Sequence, residues 1–298
     1  MKILITGGSG ALGEYLNSEL SKEYEILTLY NNNIGKCANF NSSKTDITNF
    51  AAMRSIFINF RPDIVIHSAA ISNPEICDKQ PSKLVYDVNV NATQRLAELC
   101  LQFKAKLIYI STDLVYAGYR GSMLTEDAKL NPISLYAETK LMGEVKIQQT
   151  FQDYIILRTS LLFGFTPGKA ANHFQNMYLN FRENKPVKLF FDQFRTPLSY
   201  YDAARIISQL CQLNIKKEII NLGGKERLSR AQFGRMLCDI AGFNKKLIQK
   251  VSMADISGTY KVDDVSLNTA ALQSHGIKLK SVKNSIKIIL DNIPFDYQ

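Results

Sequence analysis

A tyrosine and a lysine four residues apart, Tyr136 and Lys140, form the pair in this sequence with the clearest chemistry. On an α-helix that spacing puts both on one face, one turn apart. A free phenol has a pKa of about 10 and transfers protons poorly at neutral pH. A neighbouring ammonium favours the phenolate, lowers that pKa and lets the tyrosine trade a proton with a substrate oxygen. Asn131-Pro132 breaks the chain upstream and Ser134 offers an N-cap. Leu135, Leu141, Val145 and Ile147 are expected to supply the buried side of the helix. An isolated Tyr-x-x-x-Lys is more often an exposed lysine beside a half-buried tyrosine, so its meaning rests on the residues that accompany it.

The elements that would position the pair begin at the N-terminus. Lys2 to Thr6 reads as a buried strand, and Gly7-Gly8-Ser9-Gly10-Ala11-Leu12-Gly13 leads from it into a helical pattern of Leu12, Leu16 and Leu20. Gly7, Gly10 and Gly13 give G-x-x-G-x-x-G, a spacing that serves a tight turn, close approach to a pyrophosphate and close helix–strand packing. Free N–H groups and the helix dipole would then hold phosphates. A glycine-rich surface turn is the competing reading, disfavoured by the position of the glycines between a strand and a helix. Glu25 to Tyr30 reads as the next strand and ends in Tyr30-Asn31-Asn32-Asn33. A carboxylate there would bond the adenosine ribose of NAD. Its absence removes repulsion against a 2′-phosphate, and Lys36 is the nearest cation, so NADP(H) is expected in preference to NAD(H).

Phe50 to Phe60 reads as a helix, with Asp46 either its cap or a contact to adenine, and Thr48 the rival cap. Ile64 to Ala70 reads as a buried strand whose small end, Ala69-Ala70, would let a cofactor lie against it, or simply pack on a helix. Val85 to Cys100 reads as a helix containing Asn89, a poor helix former expected to have a structural or cofactor-positioning role. Lys106 to Ile110 is a strand running into Ser111-Thr112-Asp113. Strands alternating with helices imply right-handed βαβ units and a parallel sheet, with ligands beyond the carboxyl ends of its strands.

Composition sets bounds. The chain has 298 residues, 46% of them hydrophobic, enough for a large core. No apolar run reaches the ~18 residues of a membrane span, and no signal-peptide pattern is present, so a cytoplasmic protein is expected. Cys37, Cys77, Cys100, Cys211 and Cys238 show no C-x-x-C pair and read as reduced thiols. His67, His173 and His275 are too scattered for a zinc site, and no metal site is expected. The net charge of +9 is dispersed, which argues against nucleic acid and gives a modest bias towards a phosphate-bearing ligand.

These motifs carry a resemblance. The glycine turn, His67-Ser68-Ala69-Ala70, Ser111-Thr112-Asp113-Leu114-Val115-Tyr116 and Tyr136-Ala137-Glu138-Thr139-Lys140-Leu141-Met142-Gly143-Glu144 resemble an extended short-chain dehydrogenase/reductase. More narrowly they are similar to the dTDP-4-dehydrorhamnose reductase group. The likeness continues through Arg158-Thr159-Ser160, Asn172-His173-Phe174 and Asp192-Gln193-Phe194-Arg195-Thr196-Pro197, covering most of the first 210 residues. The resemblance implies a Rossmann-type α/β fold, a doubly wound parallel sheet with a smaller interleaved C-terminal substrate lobe. The cofactor domain is expected at 1–160 and the substrate lobe mainly at 161–298, with segments around 187–222 returning to the first.

It also implies a catalytic set. Thr112 would bond the substrate oxygen, Tyr136 would protonate it as hydride arrives, and Lys140 would lower the Tyr136 pKa and hold the nicotinamide ribose. Ser111 is the competing hydroxyl; Thr112 occupies the catalytic position of the matching motif. The expected cofactor contacts are Gly7, Gly10, Ala11, Leu12, Gly13, Asp46, Ile47, Ala69, Ala70, Asn89, Ser111, Tyr136 and Lys140. Asp113, Asn172, Asp192, Gln193 and Arg195 are expected to face a nucleotide sugar, Arg195 at a phosphate; a loop ion pair of Asp192 is the alternative. Leu114 and Ala137 depart from the group, where an aromatic and a glycine are common, which leaves the sugar open. Some members use Mg²⁺ and form homodimers. The expected function is NAD(P)H-dependent reduction of a 4-keto nucleotide-deoxysugar. The alternatives are an epimerase or dehydratase with retained cofactor and a non-catalytic nucleotide-binding regulatory subunit.

Overall fold

Runs such as Lys2–Thr6 and Ile64–His67 are apolar on both faces, and only a sheet covered on both sides can bury them. The structure, a computed structural model, describes every residue except 120, 167, 169–171, 256–260, 295–296 and 298. The chain forms two compact units. The first comprises residues 1–115, 132–158 and 204–220, the second 116–131, 159–203 and 221–298.

In the first unit β1 (Lys2–Thr6), α1 (Ala11–Leu20), β2 (Glu25–Tyr30), β3 (Ser42–Lys44), α2 (Phe50–Phe60), β4 (Ile64–His67), α3 (Pro74–Asp78) and α4 (Ser82–Tyr86) follow one another. After a single π-turn at Asp87–Asn91 come α5 (Ala92–Phe103), β5 (Lys106–Thr112), α6 (Leu135–Thr150) and β6 (Tyr154–Thr159). The seven-stranded parallel sheet has the order β11-β6-β5-β4-β1-β2-β3, where β11 is Glu218–Leu222. In register, Ile3 lies beside Ile26 on one side and Ile64 on the other, and Ile64 beside Lys106. The strand order reverses direction at β1 and β4, which opens the crevice where ligands settle in such sheets. One apolar cluster joins Leu4, Val65 and Leu107 of the sheet to Phe57, Leu96 and Ile147 of the helices.

Local rules explain most element ends. Asn49, not Asp46 or Thr48, caps α2 by accepting from Ala52 N at 3.1 Å; Asp46 instead accepts from Thr48 N at 2.9 Å within its own turn. Ser134 caps α6 through Ala137 N at 3.2 Å. The expected buried side of α6 is a correction. Leu135, Leu141 and Val145 are only half-buried, and the inward face carries Ala137, Thr139, Lys140, Gly143, Glu144 and Ile147. Four of those six are polar or glycine, a face suited to chemistry rather than to packing.

The second unit holds the short strands β7 (Leu162–Phe163), β8 (Val187–Phe190), β9 (Phe194–Arg195), β10 (Leu198–Ser199), β12 (Leu228–Ser229) and β13 (Ile248–Val251). Its helices are α7 (His173–Arg182), α9 (Arg230–Ala241), α10 (Ala270–Ser274) and α11 (Val282–Asp291), while α8 (Tyr200–Cys211) runs from this unit into the first. Phe163, Phe174, Phe181, Phe233 and Ile286 form its core. Among the described residues no helix is long and apolar enough to cross a membrane, and all five cysteines are buried and outside any disulfide.

Candidate active site

The carboxyl edge of β1 turns on glycine. Gly7 has φ +71°, and a Cβ on it would sit 2.7 Å from Ala69 N; one on Gly13 would sit 2.2 Å from Gly7 O. Gly10 is the N-cap of α1 and brings no side chain to its free N–H groups. The turn therefore lies flat between Ala69 and α1, with Ala11 and Leu12 opening the helix. Backbone N–H groups at the start of a helix that follows such a turn are suited to a pyrophosphate.

Behind it a polar chain runs from strand to strand. Thr93 donates its hydroxyl to Asn89 O at 2.8 Å, so His67 Nε2–H donates to Thr93 at 2.9 Å and His67 Nδ1 accepts from Thr6 Oγ1 at 2.7 Å. Full burial, with Lys140 adding a like charge, pushes the His67 imidazole down to about 3. His67 is thus a neutral spacer. Asn89 accepts from Ile71 N at 2.9 Å and donates to Ile71 O at 3.2 Å and Thr139 Oγ1 at 3.1 Å. These bonds explain why an asparagine stands in a helical stretch: it occupies the π-turn, a form common at functional sites, and ties the segment after β4 to α6.

Thr112 ends β5, Asp113 follows, and both are buried. Tyr136 lies in the first turn of α6, where a side-chain hydrogen bond with Thr112 pulls its pKa down while burial, the larger effect, pushes it up. The expected lowering by Lys140 is absent: the charges acting on the phenol are those of Asp113 and Cys77, and both raise it. Lys140, only 1% exposed, places Nζ 4.0 Å from the centroid of the Tyr109 ring. Burial pulls its ammonium down to about 7, with Glu144 opposing. Ser111, by contrast, donates to Glu144 Oε1 at 2.5 Å. Thr112, Tyr136 and Lys140 thus share one edge of the sheet with the glycine turn, Ala69, Ala70 and Asn89. Asp46 and Ile47 lie beyond β3, before α2.

Two residues missed by sequence reasoning complete this unit. Glu144 is 1% exposed and accepts from Arg158 Nη2 at 2.8 Å and Nε at 3.2 Å. Their burial was not legible, because an acid on a helix usually faces water.

In the second unit the expected substrate residues are engaged. Asn172 caps α7, accepting from Gln175 N at 3.0 Å, and donates to Gly164 O at 2.9 Å. Asp192 accepts from Ser252 Oγ at 2.5 Å and Met253 N at 3.1 Å, both neutral partners, rather than from the cation of the alternative loop ion pair. Gln193 accepts from Arg230 Nε at 2.8 Å, and Arg195 donates to Phe194 O at 2.7 Å. Burial, with the Arg230 charge assisting, pushes His173 down to about 3. Among the described residues no group of three or more His, Cys, Asp or Glu gathers where a metal ion could be held.

Comparison with known proteins follows the same lines. The family model described as RmlD substrate binding domain matches residues 1–294. A dTDP-4-dehydrorhamnose reductase of Aggregatibacter actinomycetemcomitans is 30% identical over 84% of this chain and 81% of its own. Methionine adenosyltransferase 2 subunit beta of Xenopus laevis is 25% identical over 93% of this chain and 83% of its own. The crystal structure of a Bacillus anthracis dTDP-4-dehydrorhamnose reductase in complex with NADP superposes with a TM-score of 0.85. It covers 98% of this chain and 99% of its own at 24% identity, a likeness of fold.

Proposed function

The chain belongs to the RmlD substrate binding domain family, and on that premise we propose that it is a nicotinamide-dependent reductase of a 4-keto group on a nucleotide-activated deoxysugar. The observation that carries this reading is the convergence of Thr112, Tyr136 and Lys140 at the sheet edge that bears the glycine turn. The residues fit a dinucleotide: Gly7, Gly10 and Gly13 let strand, turn and helix pack closely with backbone N–H groups left for a pyrophosphate, and Ala69 and Ala70 are small side chains after β4. Asp46 and Ile47 would flank the adenine. When bound, the dinucleotide supplies the hydride.

This chain's own residues then manage the oxygen. Thr112 donates a hydrogen bond to the substrate carbonyl, and Tyr136 gives it a proton as negative charge builds there. Lys140 bonds the ribose and brings its charge to the same helix face as Tyr136. A neutral, protonated Tyr136 is the form that burial enforces, and it is the form a proton donor needs. Asp113, Asn172, Asp192, Gln193 and Arg195 are assigned to the sugar nucleotide. NADP(H) is the preferred cofactor: no carboxylate stands after Tyr30, and Lys36 is exposed in the next turn.

The test is NADPH and NADH oxidation with dTDP-4-dehydro-6-deoxy-L-mannose, comparing wild type with Tyr136→Phe. Turnover with NADPH, lost in the variant, is expected; wild-type protein inert towards a panel of keto-sugar nucleotides sinks the reading. The likeness to an adenosyltransferase subunit supports a second reading, a nucleotide-binding subunit. It predicts that Tyr136→Phe leaves partner binding unchanged.

A further inference from the structure

The proposed proton donor stands beside a lysine whose surroundings work against its charge. Lys140 is 1% exposed and its Nζ lies 4.0 Å from the Tyr109 ring centroid. Gly143 makes this approach feasible, since a Cβ there would come 2.4 Å from Tyr109 Oη. The ring face offers cation–π attraction, too little to offset the burial of an ammonium. One turn further along α6, on the same face, is Glu144. Its carboxylate is held from three directions, by Ser111 Oγ at 2.5 Å, Arg158 Nη2 at 2.8 Å and Arg158 Nε at 3.2 Å.

We propose that Glu144 is a positioning residue, whose carboxylate, fixed by Ser111 and Arg158, keeps the Lys140 ammonium charged and seated over the Tyr109 ring. The inference deepens the reductase reading and rests on it for its catalytic meaning. Arg158 and Ser111 orient the acid; the acid acts on the lysine; the lysine serves the phenol. The other groups facing Lys140 do not supply that charge. His67 of β4 is neutral, and Tyr109 of β5 is held protonated by burial. Asp113 after β5 and Cys77 of α3 act on Tyr136. Glu138, on the exposed side of α6, is bonded by Tyr86 of α4 at 2.5 Å.

Charge action and mere structural support separate in a direct titration. Lysine-labelled protein is titrated by NMR without substrate, with Lys140→Arg identifying the Lys140 signal. In Glu144→Gln the Lys140 midpoint is expected to fall by about one pH unit or more, the effect of losing a close opposite charge. In Glu144→Gln/Arg158→Gln, which also removes the orphaned cation, it is expected between the single variant and wild type. The double variant keeps the test available where the single one fails to fold, because neutralising both members of a buried pair is tolerated better than removing one. Coincident wild-type and Glu144→Gln midpoints overturn the proposal, as does a double variant that titrates with wild type or below the single one. The basic limb of the turnover profile should shift in the same order. Inactive protein whose Lys140 moves as stated removes the reductase reading and leaves this one; active protein whose Lys140 does not move does the reverse.

Discussion

Ser111 gives its hydroxyl to Glu144 at 2.5 Å, while the next residue along β5, Thr112, turns to Tyr136. The two neighbouring hydroxyls therefore meet different residues of α6, two turns apart, and each role can be tested by itself. Thr112→Val is expected to lower kcat by about 10²–10³, the scale for loss of one donor to a developing oxyanion. Ser111→Ala is expected to cost about tenfold or less in kcat, but about 1–3 kcal/mol of stability as Glu144 loses a buried donor. Steady-state kinetics and urea unfolding of both variants check the assignment; the reverse ranking of kcat would exchange the roles of the two residues.

The glycine turn gives a second contrast. Gly13→Ala places a Cβ 2.2 Å from Gly7 O, a backbone atom with no room to move. NADPH binding, followed by nucleotide fluorescence, should be lost. Gly242, the C-cap of α9 with φ +74°, has nothing within 4 Å of the position that a Cβ would occupy. Gly242→Ala should cost about 1 kcal/mol through left-handed strain alone and leave NADPH affinity unchanged.

Strands β1 and β2 and helix α2 were legible at their full length because apolar runs and turn residues bound them. The stretch read as one helix from Val85 to Cys100 is instead α4, a π-turn and α5. Periodicity cannot show a π-turn set by Asn89 bonding Ile71 and Thr139, which are distant in sequence. Strand β3, Ser42–Lys44, is polar and three residues long, so no pattern announces it. At the site, residue types were readable and environments were not. Tyr136 and Lys140 stood out by spacing, yet burial raises the phenol, the opposite of what spacing alone suggested. Glu144 and Arg158 lay inside recognised motifs, but their burial as an ion pair between α6 and β6 comes from tertiary packing that no local pattern announces.

His67 predicts an acid limb in stability. Its folded pKa is depressed to about 3 against an ordinary 6.5, so between those values the unfolded chain binds a proton that the folded chain refuses. Stability therefore falls as pH drops from 6.5 towards 3, by about 1.4 kcal/mol per pH unit for one such group. His173, also depressed to about 3, adds in the same direction. Urea unfolding at pH 6.5, 5.5 and 4.5 should show this slope, and His67→Gln should remove one histidine's share of it. An unchanged slope in His67→Gln would mean that the imidazole is charged in the native state.

Lys140 predicts the converse of a stabilising charge. Without cofactor its folded pKa is about 7, against the 10.5 of a free lysine, so between those values the unfolded chain carries the extra proton. Stability contributed by this group therefore rises with pH from about 7 to 10.5 and is lowest below 7, where the ammonium is forced into the fold. Lys140→Met fills the same space without a charge. It should raise the urea midpoint of the free protein at pH 6.5 while abolishing turnover, and the gain should shrink as pH climbs towards 9. A lysine kept at a cost to the free fold is intelligible only if the bound state uses its charge, which is the trade seen where function and stability compete for one side chain. Equal midpoints at pH 6.5 would mean that Glu144 and the Tyr109 ring already offset the burial of the ammonium in full.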